Sequence, residues 1–314
     1  MKVLVAIDNK PSAQAIVDAL IKMHWVDGTE IHVITVRHAH HTHLDRAEQD
    51  ELAHIEQLAV ELHDTLTNCD VTFISRDGDP KKVIVETANE LEAELIVLGS
   101  NCKNTLERLL LGSVSNGVVS EAHCPVIVTK APCCLAREAA PAFKNILFPI
   151  DNSVYSDVVI GWLSKFRWSP NSRFIVCAAV DENTNMKQVE ERLNSRALKL
   201  SQMLGSNNVV VDIVLAEAKD GILELAEKHC ADLIAIGSHG RSGLKKFILG
   251  NVAQSVTHDA PCAVAVVRGI APDDESWFET GAFEKEEPAP KEEASYRHED
   301  EQDRMPGVVP GGMG

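Results

Sequence analysis

The chain repeats itself once, and this repetition limits its possible folds more than any other feature of the sequence. Three landmarks recur at a spacing of 138 residues: the runs 95–100 (LIVLGS) and 233–238 (LIAIGS), Gly112 and Gly250, and Cys124 and Cys262. The first-strand runs 5–8 and 148–151 are instead 143 residues apart, so the first copy holds five additional residues between Asp8 and Gly99. A spacing kept across several landmarks predicts two tandem copies of one domain.

Each copy alternates short apolar runs with longer stretches of helical periodicity. In the first copy the apolar runs are residues 3–7, 31–36, 71–74, 95–98 and 126–128. Between two of them, Leu52, Ile55, Ala59, Leu62 and Leu66 step by three or four residues, which places them on one face of a helix. Continuously apolar strands that alternate with helices predict a parallel sheet covered on both faces. The expected fold class is α/β, with two tandem doubly wound five-stranded parallel-sheet domains.

The domain boundaries are expected where this alternation stops. We expect a first domain over residues 1–130, a linker over 131–143 and a second domain over 144–268. Residues 269–314 are rich in Pro, Gly, Glu and Asp, which predicts a disordered acidic tail.

Charge and composition argue against two classes of partner. The formal charge of −17 disfavours general binding to nucleic acid. No apolar run approaches the roughly 20 residues of a membrane helix, so no membrane partner is expected. The eight cysteines form no CxxC pair. We therefore expect a cytoplasmic protein with reduced, mostly buried thiols.

A glycine-rich stretch follows the fourth strand of the second copy. The run 233–236 leads into residues 237–243 (GSHGRSG), and Gly250 opens the next helical pattern. Glycine lets backbone amides approach an anion closely, and a helix amino terminus adds free donors and partial positive charge. A loop of this kind after a parallel strand is typical of a phosphate site. Glycine spacing alone also fits a turn that binds nothing.

The wider pattern resembles the ATP-binding motif of the universal stress protein family. The resemblance rests on the spacing Gly237-x2-Gly240-x9-Gly250, on residues 260–262 (APC), and on residues 148–153 (FPIDNS) as a first strand with its aspartate. It extends over both predicted domains. It implies a Rossmann-like fold of the adenine nucleotide alpha hydrolase-like type, with the first and fourth strands adjacent and ATP across their carboxyl ends.

In the second copy the resemblance implies individual ligand contacts. Asp151, which follows Pro149 and Ile150, is expected on the ribose or adenine side, and Val180 is expected to line the adenine pocket. The residues implied around the triphosphate are Gly237, Ser238, His239, Gly240, Arg241, Gly250, Asn251 and Val252. His239 and Arg241 either neutralise phosphate charge or remain solvated. Asn251 stands where the family has Ser or Thr and offers no hydroxyl, which leaves Mg²⁺ coordination open.

The first copy departs from the motif at a different position. Its loop keeps Gly99 and the final pair Gly112 and Ser113, but Cys102 replaces the middle glycine. A Cβ at that position obstructs a close approach of the backbone to phosphate. Ile7 and Asp8 are retained in the first strand, so Ile7, Asp8, Gly99, Gly112 and Ser113 form a second, weaker candidate site. Nucleotide is expected mainly in the second copy.

Other candidate chemistry is sparse. His38, His40, His41 and His43 could bind Zn²⁺ or Ni²⁺, but they lack a closed ligand set and also fit a polar surface loop. The sequence holds no Walker Gly-Lys-Ser/Thr, GxSxG or HExxH motif, and we assign no catalytic residue.

Three functions stay open at this point. The first is an ATP-binding regulatory module of the stress response, whose nucleotide alters a surface that an unknown protein partner reads. The resemblance also implies dimers, here an intramolecular pseudo-dimer through residues 126–129 and 262–267, and a homodimer. The second is a nucleotide-free protein-interaction scaffold. The third is an adenylate-using enzyme or slow ATPase, although no general base is apparent.

Overall fold

Strands and helices alternate within each half of the part of the chain that the structure describes. The computed structural model describes residues 1–8, 10–37, 46–100, 111–130, 143–151, 153, 155–238 and 249–268. The first half contains β1 (Lys2–Ala6), α1 (Lys10–Lys22), β2 (Thr29–Arg37), α2 (Arg46–Thr65), β3 (Cys69–Asp77), α3 (Pro80–Glu90), β4 (Leu95–Gly99), α4 (Ser113–Glu121) and β5 (Val126–Thr129). The second half contains β6 (Asn145–Pro149), α5 (Tyr155–Leu163), β7 (Arg173–Val180), α6 (Met186–Leu204), β8 (Val209–Leu215), α7 (Ala218–Lys228), β9 (Leu233–Gly237), α8 (Asn251–Asp259) and β10 (Ala263–Val267).

The ten strands of the described residues belong to one sheet, in the order β3-β2-β1-β4-β5-β10-β9-β6-β7-β8. Neighbouring strands are parallel within each half, whereas β5 and β10 pair antiparallel between the halves, with Val128 opposite Val264. The predicted α/β class is confirmed. The two five-stranded halves join through β5 and β10, the strands that the family resemblance implied for this contact. The predicted linker, except for Phe143, and the acidic tail lie outside the described residues.

Apolar side chains cover both faces of the sheet because the strands are sandwiched between helices. In β4, Leu95 and Val97 belong to one core and Ile96 and Leu98 to the other. The first core includes residues from α1, α2, α5 and α6, and the second includes residues from α3, α4, α7 and α8. This double burial explains why the strands are continuously apolar rather than alternating.

Strand registers locate the extra residues of the first copy. Lys2 pairs with Glu30 in β1–β2, and Asn145 pairs with Arg173 in β6–β7, so the spacing of 143 still holds at the second strand. The equivalent third-strand pairs are Ile31 with Val71 and Phe174 with Val209, which lowers the spacing to 138. The insertion therefore lies between β2 and β3. That span includes the predicted histidine cluster, His38 to His43, which is outside the described residues.

The junction between the halves is built from equivalent residues. Lys130, after β5, donates from Nζ to two carbonyl oxygens at the carboxyl end of α8, at 2.8 and 2.7 Å. Arg268 occupies the equivalent place after β10 and donates to the carbonyl oxygens of Val119 and Ser120 at the end of α4, at 2.6 and 2.8 Å. Each half thus supplies a cation that caps the carboxyl terminus of a helix in the other half.

Candidate functional site

Each half of the sheet has a point where the strand order reverses. The chain runs outward from β6 through β7 to β8 and then returns to place β9 on the other side of β6. Ile146 and Leu147 of β6 pair with Leu233 and Ile234 of β9. Helices that leave such neighbouring strands in opposite directions open a crevice at the carboxyl ends, where ligands bind in open α/β sheets. In the first half the equivalent crevice lies between β1 and β4.

The two ends of the predicted phosphate loop are held together in the second half. The Ser238 amide donates to the Val267 carbonyl oxygen at 2.9 Å, and the Gly250 amide donates to the Ser238 carbonyl oxygen at 2.8 Å. Ser238 is buried. The backbone at Gly237 and Ser238 is thereby anchored to β10, and the loop returns to the same place at the start of α8. His239, Gly240 and Arg241 lie outside the described residues.

Glycine caps the amino end of both helices that face these crevices. Gly250 and Gly112 are the N-cap residues of α8 and α4, with φ/ψ of −64°/145° and −62°/155°. By contrast, Asp79 and Asn185 cap α3 and α6 with side-chain oxygens that accept backbone amides. A glycine cap supplies no such acceptor, and the amides of the first helical turn have no intrahelical partner. The first turns of α4 and α8 are therefore suited to an exogenous anion.

Other predicted residues of the second half lie at the same edge. The Ile150 amide donates to the Cys177 carbonyl oxygen at 2.8 Å, which continues strand pairing just beyond Pro149. Asp151 is exposed, and its Oδ1 accepts hydrogen bonds from the amide and hydroxyl of Ser153 at 3.1 and 2.6 Å. Asn251 and Val252 are exposed at the start of α8. The residues assigned to the sugar and to the phosphates thus lie on adjacent strands and on the helix that follows.

Val180 is buried at the end of β7, directly opposite Leu215 of β8. Leu215 is 60% exposed. The sequence analysis did not predict Leu215 as a residue of the candidate site, because an apolar residue at a strand end has no distinctive sequence pattern.

In the first half the predicted residues lie at equivalent places. Ile7 is buried and bonds through its amide to the Ile34 carbonyl oxygen at 3.0 Å, Asp8 is exposed, and Ser113 is exposed at the start of α4. Cys102 lies outside the described residues. Arg37 takes the place of Val180, and its guanidinium contacts the carboxylate of Asp77 at 2.7 Å on the next strand. Sequence reasoning missed both residues of this ion pair.

Metal ligands and two buried thiols add no chemistry to the site in the described ranges. Within them, no group of three or more His, Cys, Asp or Glu residues is placed to hold a metal ion. Burial raises the pKa of the Cys124 thiol to about 12 and also raises that of Cys177, so these cysteines are poor nucleophiles at neutral pH. Among the same residues, no helix is both long and apolar enough to cross a membrane.

Comparison with known proteins finds one family in both halves. The model of the universal stress protein family matches residues 1–130 and 142–268. A universal stress protein of Mycobacterium tuberculosis is 29% identical over 201 residues, which is 60% of this chain and 66% of that protein. The chain therefore spans just under two thirds of that relative's length. A universal stress protein of Methanocaldococcus jannaschii is 52% identical over 56 residues, covering 18% of this chain and 33% of that protein.

Solved structures agree on the architecture. The crystal structure of a universal stress protein from Archaeoglobus fulgidus superposes with a TM-score of 0.62 at 21% identity, covering 85% of this chain and 96% of that one. This likeness shows a shared fold. Because the family model matches each half of the repeat separately, the chain belongs to the universal stress protein family and carries two such domains in tandem.

Proposed function

We propose that this protein is an ATP-binding regulatory module of the stress response and that it binds ATP mainly in its second half. The observation that carries the proposal is the glycine-capped start of α8 beside the β6–β9 reversal. The loop before it is closed by the 2.8 Å bond between Gly250 and Ser238. Backbone amides gathered at a helix amino terminus match the negative charge of a phosphate group.

The sequence of the loop itself favours a polyanion in the second half. Residues 239–248 (HGRSGLKKFI) contain Arg241, Lys245 and Lys246 and no carboxylate. The equivalent residues 101–110 (NCKNTLERLL) contain two cations and one glutamate. A triphosphate is therefore better neutralised in the second half, and Cys102 adds a Cβ in the first.

Binding without efficient hydrolysis fits the residues of the site. Asp151 is already engaged by Ser153, and no catalytic residue is assigned. Asn251 offers an amide donor in place of a hydroxyl, so we do not require Mg²⁺ at that position.

A regulatory role fits the connection between α8 and the junction. The amino end of α8 faces the proposed phosphate site, and its carboxyl end accepts two hydrogen bonds from Lys130 of the first half. The nine residues of α8 span about 13 Å at 1.5 Å per residue. Nucleotide at one end of this rigid element can therefore bias the contact at the other end, which is the kind of change that a protein partner can read.

The nucleotide test starts with freshly purified protein. Denaturation should release ATP or a related adenine nucleotide, and titration calorimetry of stripped protein should show binding of ATP. Gly240→Val should abolish this binding, whereas the matched Cys102→Val and the variant Gly99→Val should have much smaller effects. Binding that is absent throughout would favour the nucleotide-free scaffold. Equal losses in both halves would contradict the preference for the second, and rapid ATP turnover with a defined acceptor would favour the enzyme.

The proposal also includes an unknown protein partner and, as the family resemblance implies, a homodimer in the cytoplasm. Light scattering coupled to gel filtration, with and without ATP, measures the oligomeric state directly. A monomer under both conditions would remove the homodimer from the proposal without affecting the nucleotide site.

A further inference from the structure

In each half the second and third strands extend past the first strand and form one side of the crevice at its carboxyl end. In the second half the Ile150 amide bonds to Cys177, and Val180 lies three residues further along β7, about 10 Å beyond that bond. In the first half the Ile7 amide bonds to Ile34, and Arg37 again lies three residues further along β2. Val180 and Arg37 therefore hold the same position relative to the two crevices.

The facing residues of the third strands complete this wall. Val180 is paired with Leu215, and Arg37 is paired with Asp77, at the same register. Val180 belongs to the core on one face of the sheet, together with Phe174 and Val176 of the same strand. By the equivalence of the two halves, the Arg37–Asp77 pair lies on that same face.

The two pairs differ in their chemistry. The second half presents an apolar wall in which the leucine is 60% exposed. The first half presents an ion pair of 2.7 Å, and the Arg37 Nε is buried without a hydrogen-bond partner among the described residues. Covering an exposed leucine with a flat heteroaromatic ring removes apolar surface from water, which is favourable. Covering an ion pair with the same ring removes water from two charges without replacing its hydrogen bonds, which is costly.

We propose that the Arg37–Asp77 ion pair closes the first crevice to a purine base, whereas the second crevice keeps an apolar pair, Leu215 beside the Val180 at which the family resemblance already puts the base. The identity of the ligand rests on the proposed function, but the closure of the first crevice is a separate claim. This closure would make the two halves differ in how they accept the base, in addition to their difference at the phosphate loop. A guanidinium can also stack on a base, and that alternative predicts a first crevice that is already open.

Photolabelling of the full chain with 8-azido-ATP, followed by peptide mapping, tests the claim for each half separately. The parent protein should be labelled in the second half and not in the first. Arg37→Val combined with Asp77→Leu should add labelling in the first half. The double exchange is made in two backgrounds, one with Cys102 and one with Cys102→Gly. The glycine background removes the Cβ that obstructs phosphate in the first loop, and Cys102→Gly alone is its control. The reverse exchange, Val180→Arg with Leu215→Asp, should reduce labelling of the second half about tenfold or more, while Val180→Ile with Leu215→Met should retain it.

The outcomes separate this inference from the proposed function. Labelling of the first half that appears with the Arg37/Asp77 exchange supports the inference, even if the second half of the parent stays unlabelled and the proposed function fails. The inference is overturned if the exchange adds no labelling in either Cys102 background. It is also overturned if the parent, or Cys102→Gly alone, is already labelled in the first half. Urea unfolding of each variant shows whether a lost signal reflects a lost fold.

Discussion

Replacing Arg268 with methionine is expected to weaken the contact between the two halves of the sheet. The guanidinium of Arg268 is buried and donates through one nitrogen to the carbonyl oxygens of Val119 and Ser120 at 2.6 and 2.8 Å. Methionine keeps a similar length of apolar side chain and removes every donor. The two carbonyl groups belong to the last turn of α4, where no intrahelical amide is available to them.

The size of the effect follows from these contacts. A hydrogen bond to a charged group contributes about 1.5–3 kcal/mol. Both bonds of Arg268 come from the same nitrogen, and its Nε is buried with no hydrogen-bond partner among the described residues, so desolvation offsets part of the gain. The same desolvation lowers the pKa of the guanidinium. We expect a net loss of about 2 kcal/mol in the free energy of unfolding, which lowers the melting midpoint by about 4–8 °C.

Urea unfolding followed by tryptophan fluorescence is the assay. Phe166 packs edge-on against Trp25 and Trp162, with ring centroids 6.0 and 4.9 Å apart, and Trp25 belongs to the first half, so emission reports on the junction. Arg268→Lys is the matched control, because Lys130 makes the equivalent contact and a lysine should preserve most of the stability. This role of Arg268 is contradicted if Arg268→Met unfolds at the same urea concentration as the parent, or if Arg268→Lys is as unstable as Arg268→Met.

Three further predictions concern stability, each measured by urea unfolding. Gly161 lies inside α5 with open space at its Cβ position, so Gly161→Ala should raise the free energy of unfolding by about 0.5–1 kcal/mol. Gly205 follows α6 with a φ of 61°, so Gly205→Ala should lower the free energy of unfolding by about 1 kcal/mol. Effects of the same sign would contradict this contrast. A Cβ on Gly221 would lie 2.7 Å from side-chain atoms on β7 and β8, so Gly221→Val should lower the free energy of unfolding by about 1–3 kcal/mol. An unchanged urea midpoint would disprove this tight packing. Hydrogen bonds from His258 and Lys219 lower the pKa of Asp259 in the folded protein. The ionised Asp259 therefore stabilises the fold fully above the ordinary aspartate pKa of about 4, and this stabilisation is lost as the pH falls through the lowered folded value. Asp259→Asn should flatten the plot of unfolding free energy against pH in that range, and a slope equal to that of the parent would argue against this role.

Much of the architecture can be inferred from the sequence alone. The repeat spacing and the apolar runs predict five strands in each half, and the strands found begin and end within about three residues of those runs. These signals are local: a strand buried on both faces must be continuously apolar, and a helix packed on one side must repeat every three or four residues. The same reasoning places Gly237 at a strand end and Gly250 at a helix start.

The histidine cluster and the central loop residues His239 to Arg241 stay predictions, because they lie outside the described residues. Ligand contacts assigned to Asp151 and Val180 also stay predictions, although both residues lie at the carboxyl edge of the sheet where a nucleotide was expected.

Contacts between residues far apart in the chain depend on the tertiary fold. Arg37 and Asp77 are 40 positions apart, and they become neighbours only because β2 and β3 pair in one particular register. Lys130 reaches the end of α8, and Arg268 reaches the end of α4, because β5 and β10 pair antiparallel across the junction. Local periodicity shows that a strand exists and which of its faces is buried, whereas register and the choice of neighbour depend on packing among all ten strands. Local sequence patterns are thus enough to predict a doubled α/β protein with two candidate phosphate loops, whereas the folded sheet places an apolar pair at the ends of β7 and β8 and an ion pair at the ends of β2 and β3.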